Sequence, residues 1–110
     1  MNQSPLNDLI GLRLTSHKCI EDYVQVTLED GAAVLSVYNP CEVRGPESES
    51  RHTIRSVIGR RLHEVATRPD LVELKFGEGW SIAVDIRDEA FTGPEAMVLH
   101  RPGKSPVVWT

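Results

Sequence analysis

The sequence has no excess of basic residues: 12 Lys and Arg stand against 16 Asp and Glu, for a net charge of −4. A nucleic-acid footprint needs a basic face, and here Arg60-Arg61 is the only strong basic pair, with Glu64 close behind. No stretch approaches the roughly 18 consecutive apolar residues that would span a bilayer. The first residues carry neither a charged n-region nor a long apolar h-region, so no signal peptide is expected and the cytoplasm is the expected location. Cysteine is scarce: the two present, Cys19 and Cys41, could pair with each other, but in a chain without a signal peptide two cysteines more often stay reduced.

Catalytic signatures are missing as well. There is no nucleophile elbow, phosphate loop or dinucleotide fingerprint. His63-Glu64 opens like a zinc-protease helix, but the second histidine would have to stand where Thr67 is. His17 and Cys19 share a strand face without the paired spacing of a metal site, so a surface histidine and a half-buried cysteine are expected there. The expectation is therefore a protein without catalytic residues, cofactor or metal.

What is present is ordinary globular material, 40% hydrophobic and 25% charged, in 110 residues that fit one domain. Its dominant feature is an internal repeat. Residues 6–38 align without a gap on residues 54–86, giving seven identities, among them Ile10/Ile58, Gly11/Gly59, Arg13/Arg61, Leu14/Leu62 and Gly31/Gly79. Typical residue frequencies would give roughly two by chance. Apolar character also persists at Leu6/Ile54, Leu9/Val57, Val26/Leu74, Leu28/Phe76 and Val34/Ile82, as a shared core would require. Two copies are too few for a solenoid, so they are expected to pack about a pseudo-twofold axis.

Each copy opens with a short helical turn. Ser4 and Thr53 suit the caps, and Leu6, Leu9, Ile10 and Ile54, Val57, Ile58 form a one-turn apolar face at i, i+3, i+4. Three strands follow in each. In the clearest, Val24, Val26 and Leu28 alternate with Tyr23, Gln25 and Thr27. Glu29-Asp30-Gly31 and Gly77-Glu78-Gly79 supply the hairpin turns. A final hairpin turns at Pro102-Gly103. The expected fold is mainly β: repeat 1 over about 5–38, a surface loop over 41–52, repeat 2 over about 53–86 and a C-terminal hairpin over about 95–110. Together they would pack as a small sandwich or partly closed barrel.

Binding candidates are few. Arg13 and Arg61 are the basic residues the repeat preserves, fit for a twofold anion clamp or for ion pairs with Asp22 and Asp70. Trp80 would anchor an interface if exposed, the other expectation being burial against the C-terminal hairpin. Glu47 and Glu49 lie in the polar stretch between copies, where a partner-contacting segment is expected.

The phrase Ile-Gly-x-Arg-Leu, followed by an alternating strand ending in acid-Gly and by a third strand, resembles a group of small bacterial all-β domains of unknown function. Some of these resemble candidate immunity proteins of polymorphic toxin systems. The resemblance covers about residues 6–38 and 54–86 plus Trp109. It implies a small cytosolic binding protein without cofactor, with a toxin-like protein as its partner; exposed strand edges separately allow a second copy of the chain as partner. The alternative is a small-ligand-binding barrel with its pocket between the repeats.

Overall fold

The computed structural model describes residues 5–46 and 54–110. Among these, nine strands form two antiparallel sheets, and helix is confined to short 3₁₀ turns. The strands are β1 (Leu14–Ile20), β2 (Tyr23–Leu28), β3 (Ala33–Val37), β4 (Cys41–Arg44), β5 (Leu62–Thr67), β6 (Leu71–Phe76), β7 (Ser81–Asp85), β8 (Met97–His100) and β9 (Val107–Trp109). One sheet has the order β1-β2-β3-β8-β9, the other β4-β7-β6-β5. The expected mainly β architecture forms, and of the two packings expected, sandwich or partly closed barrel, the two sheets fit the sandwich.

Alternation drives the assembly. Val26 and Leu28 of β2, Leu35 and Val37 of β3, Val72, Leu74 and Phe76 of β6, and Ile82 and Val84 of β7 are buried in one apolar core. Each such side chain is worth about 1.5–3 kcal/mol on burial. The two sheets meet along one seam at β1 and β5. There Gly11 N–H donates to Leu62 O at 2.7 Å while Gly59 N–H donates to Leu14 O at 2.7 Å. Likewise Leu14 N–H donates to Arg60 O at 3.0 Å and Leu62 N–H to Leu12 O at 2.9 Å. Each bond becomes its neighbour when 48 is added to, or taken from, its residue numbers, and the Arg13–Arg61 bridge lies at the centre. Both first strands also carry a bulge at matched places, between Leu14 and Ser16 and between Leu62 and Glu64.

The structure corrects the sequence reading in three places. The stretch expected to be a surface loop over 41–52 begins with β4, which pairs with β7 of the second copy. The corresponding strand of the second copy, β8, pairs with β3 of the first. Each repeat is therefore a four-strand unit whose last strand crosses to the other sheet. Cys41 and Val43 occupy in one sheet the places that Met97 and Leu99 occupy in the other.

Second, the ungapped alignment fails after the hairpin. Four residues separate Leu28 from its partner Ala33, whereas Phe76 N–H reaches Trp80 O across three. Asp30 and Glu78 share a left-handed backbone, at φ 56° and 64°, and Gly31 and Gly79 follow at φ 121° and 84°. Ala32 is thus the extra residue. Beyond it Leu35 matches Ile82 and Val37 matches Val84, so the Val34/Ile82 pairing is out of register, and Val34 lies on the outer face. Side chains alternate with a period of two, and one inserted residue exchanges the faces.

Third, the expected opening turns form, but they wind as 3₁₀ with three residues per turn, which takes Ile10 and Ile58 off the expected apolar face. Leu6 and Leu9, and Ile54 and Val57, align and are buried. Ile10 and Ile58 fall off that line and remain 45% and 38% exposed. The expected caps Ser4 and Thr53 lie outside the described residues.

Candidate interaction site

Among the described residues four strands end a sheet, and they are not equally open. β1 and β5 are bulged, and each lies against the opening turn of the other copy. β9 is a three-residue strand that covers β8. β4 stands where β8 stands in the other sheet, yet no described strand covers it. Asp85 N–H donates to Pro40 O at 3.0 Å, which fixes the phase of the β4–β7 ladder. By antiparallel alternation Glu42 and Arg44 bond to β7, while the N–H and C=O groups of Cys41 and Val43 point away from β7, along the edge that no described strand covers. The side chains of Cys41 and Val43 pack on the core, and Glu42 and Arg44 are exposed on the outer face. Bulges, charges and short length protect edges in β proteins. β4 is short and charged but has no bulge.

A groove of about 430 Å³ adjoins this edge on the outer face of the sheet, lined by Cys41, Glu42, Arg44, Asp70, Leu71 and Asp85 among others. Its origin is a difference between copies. In the first sheet Tyr23 and Tyr38 fill the equivalent outer positions, with ring centroids 4.7 Å apart. Their counterparts Leu71 and Asp85 are smaller and leave space. Asp85 accepts from Arg87 Nε at 2.9 Å, from Arg87 Nη2 at 2.7 Å and from the Arg87 N–H at 3.0 Å. These hydrogen bonds hold its carboxyl below the usual carboxylate range. Arg44 is engaged by Glu42 at 3.1 Å and Glu73 at 3.9 Å.

Arg13 and Arg61 come together at the seam, but through their backbones. Arg61 Nη1 donates to Gly11 O at 2.9 Å and pairs with Glu29 at 3.4 Å; Glu29 also accepts from the Arg13 N–H at 3.0 Å. The ion partner of Arg61 is thus Glu29 rather than Asp70, and the second copy has Gly77 in its place. Trp80 is half-buried against the core with the Arg60 guanidinium 5.2 Å from its ring centroid. Glu47 and Glu49 lie outside the described residues.

A second cavity, about 340 Å³, sits between the copies and is lined by His17, Cys19, Ile54 and Arg55. The expected burial is reversed here: Cys19 is exposed, and His17 is half-buried with an Nδ1 that finds no partner. Cys41 is a free thiol, pushed up by burial and then by the nearby Cys19. Among the described residues no three His, Cys, Asp or Glu side chains group to hold a metal, and His63 lies instead beside Gly77. No helix of the described residues is long and apolar enough to cross a membrane.

Sequence reasoning missed Glu42, Val43 and Arg44. The alternation in Cys41-Glu42-Val43-Arg44 after Pro40 was the available signal, outweighed by the polar residues beyond it. Comparison with protein-family models, with curated proteins and with solved structures finds no match for this chain.

Proposed function

We propose that the chain is a small non-enzymatic protein-binding module that acts in the cytoplasm and recruits its partner as an added strand on β4. The observation that carries the reading is the unequal treatment of equivalent strands: β8 is covered by β9, and β4 has no such cover among the described residues. Strand addition draws affinity from main-chain bonds and specificity from neighbouring pockets. Here the groove beside the edge offers Asp70 and Asp85, and the chain is acidic overall, which suits a basic partner. An immunity-like role, binding and blocking a basic toxin, is the form of this reading that the sequence resemblance favours.

The test is capture of binding proteins by the wild type and by Val43→Pro. Proline removes the outward N–H of residue 43 and leaves the β4–β7 bonds intact, as edge positions allow. Partners retained by the wild type and lost by the variant support the reading. An identical set on both contradicts it.

A second reading, a small-ligand site between the copies, rests on the cavity at His17 and Arg55, whose volume lies within the range of ligand pockets. A small molecule that co-purifies with the wild type and is lost on His17→Val with Arg55→Ala would favour it.

A further inference from the structure

The outward edge of β4 is complementary to itself. A strand pairing with it must use the backbone groups of Cys41 and Val43, because those of Glu42 and Arg44 are committed to β7. Few antiparallel registers between two copies satisfy that condition. A register centred on Glu42 sets Glu42 opposite Glu42, and one centred on Arg44 sets Arg44 opposite Arg44. A register centred on Cys41 needs Asn39, which is buried with its N–H already donated to Ala96 O at 3.1 Å. The register centred on Val43 places Glu42 opposite Arg44 twice, once on each side of the axis. It also pairs Cys41 with Gly45 and brings the two Val43 side chains together on the core side.

We propose that β4 pairs with β4 of a second copy in the register centred on Val43, joining two four-stranded sheets into one of eight strands. This rests on the reading of β4 as a docking strand and names its occupant. The Glu42–Arg44 ion pair within each strand, 3.1 Å apart and well exposed, is exchanged for two between copies. Directly opposed unlike charges favour strand pairing, and like charges oppose it. A toxin-like strand would compete with the second copy for the same edge.

The test is sedimentation equilibrium over a range of protein and salt concentrations, with the wild type, E42R, R44E and their equimolar mixture. E42R leaves two arginines on each edge and R44E two glutamates, so each alone opposes like charges in this register. Each is expected to weaken self-association about tenfold, and the mixture to restore it as a heterodimer. The wild-type dimer should weaken with added salt. A dimer that survives in both single variants, or in Val43→Pro, overturns the proposal. A wild type that stays monomeric also overturns it. In that case an alternating valine–lysine peptide distinguishes the two claims: if it slows hydrogen exchange at the Val43 amide, only self-pairing has failed. If that amide stays unprotected, the docking-strand reading fails with it.

Discussion

The two halves share a backbone plan down to the bulge and the seam, yet they part at several places. The first copy has one more residue in its second hairpin turn. On the inner face of its first strand it carries His17 and Cys19 where the second copy has Val65 and Thr67. Its crossed-over strand, β4, ends its sheet among the described residues, while β8 of the second copy is covered. The shared features are those a common core enforces, and the differences gather where the core has least say. Function is expected at the differences, because packing alone does not require them.

The largest effects should come from register. Deleting Ala32 turns the first hairpin into the shape of the second and should preserve the fold. Inserting an alanine between Leu35 and Ser36 should unfold the chain, because Val37 and the residues beyond it would exchange faces. Far-ultraviolet circular dichroism and urea titration separate the outcomes. A tolerated insertion would mean that inward alternation does not hold these sheets.

Next come the paired core positions. Leu14 and Leu62 are 0% and 2% exposed on either side of the seam, and truncation of either to alanine should cost about 2–5 kcal/mol in urea unfolding. Losses of similar size support equivalence; a costly change at one and a negligible one at the other would break it. A smaller effect is expected where the copies differ. His17→Val installs the second copy's residue and removes a buried unpaired nitrogen, so it should stabilise by about 1 kcal/mol. Val65→His should do the reverse.

The smallest effect concerns Asp85, whose counterpart in the first copy is Tyr38. Its folded pKa is lowered by Arg87, so the pair adds stability above the ordinary carboxylate range and loses it as pH falls through the lowered value. Both side chains are partly exposed, which keeps the contribution small. Arg87→Gln should make stability slightly less sensitive to pH on the acid side, as followed by urea midpoints between pH 2 and 6, roughly the carboxylate range.

Much of this was legible in the sequence. All seven identities between copies fall at or before Gly31/Gly79, so they mark the part of the repeat that keeps register. The strands Tyr23–Leu28 and Leu71–Phe76 follow from alternation, and the turns after them from turn chemistry. The slip at Ala32 was hidden because Val34 and Ile82 are both apolar, and residue type does not report which face a side chain takes. The crossing of β4 was hidden because it is a long-range pairing, and nothing local in Cys41–Arg44 says which sheet will receive it. The groove became visible only once Leu71 and Asp85 could be set against Tyr23 and Tyr38.

The most direct measurement is site-resolved hydrogen exchange at four amides in dilute protein. The amides of Met97 and Leu99 face β9, and those of Cys41 and Val43 face the open edge of the other sheet. The account predicts slow exchange at the first pair and fast exchange at the second, with Cys41 and Val43 slowing as protein concentration rises or a basic partner is added. Equal protection of all four at every concentration would contradict it.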